Sequence, residues 1–151
     1  MIVLSWNVRG LNNIPRQKAL RKLIESQLPD VVFIQETKLA VDGLANCAPH
    51  ICPQGNWQGV GARNSSGGVA CFWNPRKVLP LWWISSRSSI SLVASCLDTG
   101  ERCLLSNIYA PTDISGKSNL WAHISYIRVL NPFLPWILAG DFNSITSLDE
   151  K

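Results

Sequence analysis

Several things that this sequence lacks limit the classes of protein to which it can belong. The chain of 151 residues has no run of 18 apolar residues, and its patch VLPLWWI is interrupted by Pro80, so no transmembrane helix is expected. No basic leader stands before the apolar residues of MIVLSWNVRG, which distinguishes this opening from a secretory signal. We therefore expect an intracellular protein with no membrane-bound segment.

Cysteine is present, but not in a pattern that cross-links a chain or binds zinc. The five cysteines are an odd number, and no two of them have C-x-x-C spacing, so a disulfide framework is not expected. The motif CAPHIC brings Cys47, His50 and Cys52 close together in the sequence, but structural zinc requires four ligands and no fourth is evident. We interpret the cysteines as buried or loop residues.

Charged residues are scarce, at 16% of the chain, and the net charge of +4 is concentrated at one end. Residues 1–28 contain five Lys and Arg against one Glu, and such a segment can attract the phosphates of a nucleic acid. Four of these cations, however, lie in NNIPRQKALRKLIESQL, which predicts a helix capped by Asn13 with Pro15 in its first turn. A solvated helix face is the interpretation that this pattern favours. The expected apolar stripe of the helix consists of Leu20, Leu23, Ile24 and Leu28.

Apolar residues make up 46% of the chain, and their spacing predicts a layered α/β fold in a single domain. Strand patterns at 2–8 and 30–36 lie on either side of the basic helix, which is typical of a strand–helix–strand unit. Further strands are predicted at 68–74, 89–98 and 102–110 and in PWILAGDFN. A second helix is predicted over 119–130, in which His123 lies off the apolar stripe and is expected to be exposed.

Four of the predicted strands end in polar side chains that can take part in catalysis. Asn7 follows IVLSW, Glu36 follows VVFIQ, Tyr109 follows LLSNI, and Asp141 and Asn143 follow WILA. Any one of these can be explained as a turn, since Gly, Asp and Asn are ordinary turn residues, as in GDFN. Four such strand ends together favour a polar cluster at one edge, because sheets commonly present binding groups in this way.

Carboxylates and amides without clustered Cys or His suit a hard cation. Mg²⁺ binds through one or two carboxylates and the phosphate oxygens of its substrate. A second carboxylate can deprotonate a water molecule, and a phenol or an amide can donate hydrogen bonds to a phosphate. No Ser or Cys nucleophile is evident, and NSSGGVA lacks the spacing and the Lys of a P-loop. The carboxylates, amides and phenol at the strand ends therefore favour metal-assisted hydrolysis of a phosphoester over acyl transfer.

The chain contains, in this order and over nearly its whole length, the five motifs SWNVRGL, FIQETKL, SGGVACFWN, NIYAP and GDFN. In this combination the sequence resembles the endonuclease/exonuclease/phosphatase family. The likeness is greatest to the apurinic-type endonuclease domain of LINE (non-LTR) retrotransposons, particularly those of plants. Each motif alone is weakly specific, whereas five in order are strongly so.

The resemblance implies a role for each polar residue at the strand ends. Glu36 in QET is implied as the ligand of Mg²⁺, with Mn²⁺ as an alternative, and Asn7 in WN as a residue that helps to hold the metal and the phosphate. Tyr109 in IYAP is implied to contact the scissile phosphate. Asp141 in GDFN is implied to position or activate the attacking water, and Asn143 to orient that water or the phosphate. The turn in GDFN thereby gains a catalytic interpretation beside its local one.

The family fold is a four-layered α/β-sandwich of the DNase I type, and the resemblance implies that residues 1–151 are the N-terminal part of such a domain. Family members carry a late Asp-His motif, usually SDH, whose His acts at the phosphate. This chain reaches SLDEK without that motif, and His50 and His123 lie in other contexts. We therefore expect a C-terminally truncated domain with its second sheet largely missing, which is inactive or nearly so as this chain.

Three functions follow from these considerations. The first is a Mg²⁺-dependent, DNA-nicking endonuclease domain of a retrotransposon-derived protein, with DNA as the partner of the complete domain. The second keeps the fold and the metal but acts on a small phosphoester, and the third is a non-catalytic retrotransposon remnant. The basic first helix and the motifs SWNVRGL and QETKL favour nucleic acid. Nuclear localisation is expected by analogy alone, and the sequence does not predict the oligomeric state.

Overall fold

Helices and strands alternate along the chain in an order typical of mixed α/β proteins. The computed structural model describes residues 1–64 and 66–144. Within these residues the chain forms eight strands and three helices, which are, in chain order, β1 (Val3–Asn7), α1 (Ile14–Gln27), β2 (Val31–Gln35), α2 (Val41–Ile51), β3 (Asn56–Val60), β4 (Val69–Trp73), β5 (Val78–Ser86), β6 (Ser89–Cys96), β7 (Arg102–Tyr109), α3 (Ile114–Leu130) and β8 (Trp136–Asp141).

The strands of this described part form two four-stranded sheets. In the first sheet the strand order is β1-β2-β4-β3, and in the second it is β5-β6-β7-β8. β1 is parallel to β2 and β7 is parallel to β8, whereas the other pairs are antiparallel. A parallel pair requires a crossover connection, which contains α1 in the first sheet and α3 in the second.

The two sheets pack face to face and helices cover their outer faces, so the α/β fold class predicted from the sequence is confirmed, with four layers. Alternate residues of β2 point into different cores. Val32 and Ile34 pack in the core that contains residues of α1 and α2, whereas Val31 and Phe33 pack in the core between the sheets. The second sheet is covered on its outer face by α3 through Leu120, Ile124 and Ile127.

The second sheet is larger than the sequence predicts. The resemblance implies that this sheet is largely missing, but in the structure four strands form it and cover the inner face of the first sheet. In this sheet the strand that the sequence pattern does not predict is β5, because Pro80 interrupts its apolar residues; in the first sheet β3 is likewise not predicted. β5 lies at the edge of the sheet and shifts register between Pro80 and Trp82, and an edge strand with such an irregularity tolerates proline.

Helix α1 begins as predicted but ends earlier than its apolar pattern suggests. The side chain of Asn13 accepts a hydrogen bond from the N–H of Arg16 at 2.8 Å, and Pro15 lies in the first turn. Leu20 is buried, in agreement with the predicted stripe. Leu28 is predicted in the same stripe, but it takes a left-handed conformation with φ of 46° and is 75% exposed. The predicted stripe is therefore wrong at Leu28, because the helix has already ended there.

Helix α2 is not predicted from the sequence, because Gly43 and Pro49 lower its intrinsic helix propensity. Burial of its apolar face against the first sheet stabilises it instead, through residues that include Leu44, Cys47 and Ile51. None of the helices within the described residues is long and apolar enough to cross a membrane.

Candidate active site

The five polar residues predicted at strand ends lie at the carboxyl ends of the two parallel strand pairs. Asn7 is the last residue of β1, and Glu36 directly follows β2, with which β1 pairs. In the second sheet Tyr109 ends β7 and is the register partner of Asp141, which ends β8. Asn143 follows two residues later. Because each pair is parallel, its two polar ends meet at one edge of its sheet.

One of two hydrogen bonds to Asp141 joins these two edges. The side-chain Nδ2 of Asn7 donates to Oδ2 of Asp141 at 2.6 Å. The backbone N–H of Asn143 donates to the other carboxylate oxygen, Oδ1, at 2.9 Å. Each oxygen of Asp141 retains a further lone pair with which it can accept a hydrogen bond or a proton from water. The carboxylate is thus held in one orientation where the two sheets meet.

The phenol of Tyr109 lies near both carboxylates of the site. Burial raises the pKa of Tyr109 above its ordinary value, and the negative charges of Glu36 and Asp141 raise the pKa further. The phenol therefore stays protonated throughout the neutral range. In that state it can donate a hydrogen bond to a phosphate oxygen.

The backbone around the site contains most of the non-glycine residues with a left-handed conformation in the described part of the chain. Glu36 has φ of 56° and Lys38 has φ of 57°, and Arg9 and Asn143 have φ of 49° and 45°. Such conformations are uncommon and persist where the surrounding structure holds them. Here the N–H of Gly10 donates to the carbonyl of Glu36 at 2.7 Å. Concentration of strained backbone in one place is typical of functional sites.

The oxygen atoms of Asn7 and Glu36 are suitable ligands for a magnesium ion. Oδ1 of Asn7 accepts one hydrogen bond, from the N–H of Arg9 at 3.0 Å, and retains a lone pair. Oε1 of Glu36 lies 3.0 Å from Nζ of Lys38, and the Glu36 side chain is 18% exposed. Among residues 1–64 and 66–144, no group of three His, Cys, Asp or Glu side chains is placed to hold a metal ion. One or two carboxylates and an amide oxygen, with water and phosphate at the other positions, fit the coordination of Mg²⁺.

A buried polar network that the sequence interpretation missed connects the two sheets next to the site. Nε2 of Gln35 donates to Oδ1 of Asn107 at 2.6 Å, and Nδ2 of Asn107 donates to two backbone carbonyls of the first sheet at 3.1 and 2.9 Å. Gln35 is 1% exposed and Asn107 is fully buried. Gln35 directly precedes Glu36, and Asn107 lies two residues before Tyr109. The pattern that could have revealed the network is an amide within a largely apolar segment of each strand, VVFIQ in β2 and LLSNI in β7.

A second residue that the sequence interpretation missed is Lys117, in the first turn of α3. Its Nζ donates to the backbone carbonyl of Asn143 at 2.5 Å and to Oγ of Ser144 at 3.2 Å. The side-chain Nδ2 of Asn143 in turn donates to the carbonyl of Ala110 at 2.6 Å. The segment after Asp141 is thus fixed to both α3 and the end of β7. No motif around Lys117 indicates this contact in advance.

An open cleft of about 610 Å³ lies beside these residues. Tyr109 and Asn143 line it, whereas the other three predicted residues are not among its lining residues. The loop 66–68, the β5–β6 turn with Arg87, and the face of α3 that carries His123 also line the cleft. The sequence predicts that His123 is exposed, but its side chain is half-buried, because α3 directs it toward the cleft.

Comparisons with known proteins agree with this architecture. The model of the "Endonuclease/Exonuclease/phosphatase family" matches residues 4–151. An exodeoxyribonuclease of Bacillus subtilis (strain 168) is 24% identical over 153 residues, which cover 95% of this chain and 58% of that protein. The chain thus spans less than two thirds of the length of this curated relative.

Two solved structures show the same fold at low sequence identity. The mannosyl-6-phosphatase of Bacteroides thetaiotaomicron VPI-5482 superposes with a TM-score of 0.76 at 20% identity, covering 98% of this chain and 67% of that one. The AP endonuclease of Leishmania major superposes with a TM-score of 0.68 at 20% identity, covering 92% of this chain and 54% of that one.

Proposed function

The chain belongs to the endonuclease/exonuclease/phosphatase family, whose members are hydrolytic nucleases and phosphatases, and we propose that its site hydrolyses phosphodiester bonds of DNA with Mg²⁺. The observation that carries this proposal is the contact between the two sheets at Asp141. A carboxylate oriented by the Asn7 amide and the Asn143 backbone lies near a second carboxylate, Glu36, and a protonated phenol, Tyr109.

Each residue then has a defined task. Glu36 and the amide oxygen of Asn7 would hold Mg²⁺, with Mn²⁺ as an alternative, and such a metal would supply polarisation of a phosphate oxygen. Asp141 accepts a proton from the attacking water at a carboxylate oxygen as that water bonds to phosphorus. The bond from phosphorus to the leaving sugar oxygen breaks, and that oxygen takes a proton from solvent water. Tyr109 donates a hydrogen bond to the phosphate as negative charge builds up there, and Asn143 orients the water or the phosphate.

DNA is the substrate that the charges favour. The cleft beside Tyr109 is lined by Arg63 and Arg87 against one carboxylate, Asp113, so a phosphate next to the scissile one has cationic neighbours. Helix α1 adds Arg16, Lys18, Arg21 and Lys22 to the positive charge of the chain. The exodeoxyribonuclease relative and the AP endonuclease neighbour are consistent with this choice. A retrotransposon origin of the LINE type, and with it nuclear residence, is proposed from the five sequence motifs.

The alternative substrate is a small phosphoester, which the structural likeness to a mannosyl-6-phosphatase favours. Incubation of the chain with supercoiled plasmid and, separately, with mannose 6-phosphate distinguishes the two. We expect the plasmid to be nicked in Mg²⁺, nicking to stop when the metal is chelated, and nicking to return when Mn²⁺ is added. We expect no release of phosphate from the sugar. Phosphate release without nicking would favour the alternative, and neither product would favour a non-catalytic remnant.

A further inference from the structure

Helix α3 presents a polar face to the cleft. Gly116, Asn119 and His123 line the cleft, and their spacing of three and four residues places them on one side of a helix. The residues of α3 that are buried are Leu120, Ile124 and Ile127. Leu120 also lines the cleft, but packing of the helix against the second sheet otherwise uses other positions. Asn119 is exposed there, and His123 is half-buried.

His123 carries a hydrogen-bonding atom without a partner. Its Nε2 is buried and makes no hydrogen bond within the described part of the chain. Buried polar atoms in folded proteins almost always have a partner, whether protein, water or ligand. Burial also lowers the pKa of His123, so the ring is neutral near pH 7 and has one donor and one acceptor nitrogen. Because Nε2 is shielded from solvent in this conformation, a ligand in the cleft reaches that atom only when the ring turns toward the cleft.

Other segments that line the cleft have a different chemistry. Arg63 and Arg87 contribute positive charge and Asp113 contributes one carboxylate, while Ser86, at the end of β5, and Ser88 flank Arg87. Guanidinium groups attract phosphates, whereas a neutral imidazole and an amide match the donors and acceptors of a nucleobase. A cleft of about 610 Å³ is within the range of small-molecule sites and has room for more than one phosphate group.

We propose that His123, together with Asn119, contacts the sugar and base of the nucleotide next to the scissile phosphate, and that His123 is a specificity-determining residue favouring DNA over small phosphoesters. This inference rests on the proposed function, because it takes Tyr109 as the contact of the scissile phosphate. A nucleoside attached to a phosphate at Tyr109 extends into the cleft that α3 lines. A phosphoester with a small alcohol group, bound with its phosphate at Tyr109, is too short to contact His123.

The test combines a binding measurement with a comparison of two substrates. Binding of a short fluorescein-labelled DNA duplex is measured by fluorescence anisotropy without Mg²⁺, for the wild type, His123→Ala and the conservative His123→Gln. Hydrolysis of plasmid DNA and of bis(p-nitrophenyl) phosphate is measured in Mg²⁺. The matched control is His50→Ala, since His50 is exposed at the end of α2, and a melting curve of each variant checks folding.

We expect His123→Ala to weaken DNA binding about fivefold to tenfold, the loss of one hydrogen bond or slightly more. His123→Gln should retain most of the affinity, and His50→Ala all of it. The KM for plasmid should rise with little change in kcat, and hydrolysis of the small phosphodiester should not change.

Unchanged DNA binding by His123→Ala would overturn the inference and leave the proposed function standing. An equal loss of activity by His123→Ala on plasmid DNA and on bis(p-nitrophenyl) phosphate would also overturn the inference, since that result indicates a purely structural role. A wild type that cleaves the small phosphodiester but neither binds nor nicks DNA would overturn the inference and the DNA substrate together. A wild type that binds and cleaves nothing would overturn the proposed function as well.

Discussion

The contact between Gln35 and Asn107 is expected to be a main determinant of the stability of the fold. Replacement of Asn107 by alanine removes three hydrogen bonds, one from Gln35 and two to backbone carbonyls. At about 1 kcal/mol for each bond, and with a further cost for a buried group left without a partner, the loss is about 3–6 kcal/mol. Gln35 keeps its hydrogen bond to Ser5 at 3.1 Å, so we expect Asn107→Ala to lower the free energy of unfolding by about 3–4 kcal/mol, the lower part of this range.

The free energy of unfolding is measured by urea denaturation of the wild type and Asn107→Ala. The matched control is Asn12→Ala, because Asn12 is exposed, and a change within about 0.5 kcal/mol is expected there. A double-mutant cycle with Gln35→Ala isolates the coupling between the two amides, which should be about 0.5–3 kcal/mol for residues in one network. A loss below about 1 kcal/mol, or no coupling in the cycle, would show that the network does not hold the sheets together.

Three further predictions concern the segments around the site. Lys117→Ala should lower the kcat of nicking, because it releases the carbonyl of Asn143, whereas Lys117→Arg should retain most of the wild-type kcat. An inactive Lys117→Arg variant would contradict this. Gly140→Ala should lower the melting temperature, because φ of 141° is unfavourable for alanine and its Cβ would collide with the carbonyl of Ile108; an unchanged temperature would contradict it. The pKa of Tyr109 is raised on folding, so this tyrosine ionises at lower pH in the unfolded chain than in the folded one. The free energy of unfolding should therefore fall as pH rises above the ordinary tyrosine pKa. An equal fall of the urea midpoint with pH in the wild type and in Tyr109→Phe would contradict this.

The position of the candidate site residues could be predicted because strand ends are local features of a sequence. An apolar run that stops at Asn7, Glu36 or Asp141 marks where a strand ends, and a parallel strand pair then brings two ends to the same edge. The catalytic and metal-binding roles of these residues stay predictions. Their hydrogen bonds are visible only in the structure, since Asn7 and Asp141 are 134 residues apart in the chain.

The features that could not be predicted depend on tertiary contacts. Strand β5 contains Pro80, and only its edge position explains why a strand forms there. Helix α2 forms through burial despite Pro49. Asn107 and Lys117 act through partners far away in the sequence, and no local pattern shows which polar residue will face a distant strand or helix.

The presence of the second sheet also changes one expectation about activity. The inference that the chain is inactive or nearly so rested partly on a missing sheet, whereas four strands form that sheet in the described residues. We therefore expect measurable nicking by this chain.

The most direct test of the proposed site is the rate of plasmid nicking in Mg²⁺ by the wild type, by Asp141→Asn and by Asp42→Asn. Asp42 is an exposed carboxylate in the first turn of α2, and it controls for the loss of one negative charge. We predict that Asp141→Asn lowers the rate at least about 10²-fold, the usual effect of removing a positioned base, whereas Asp42→Asn leaves it unchanged and a chelator abolishes it. Nicking that persists in Asp141→Asn, or in the presence of chelator, would contradict the account.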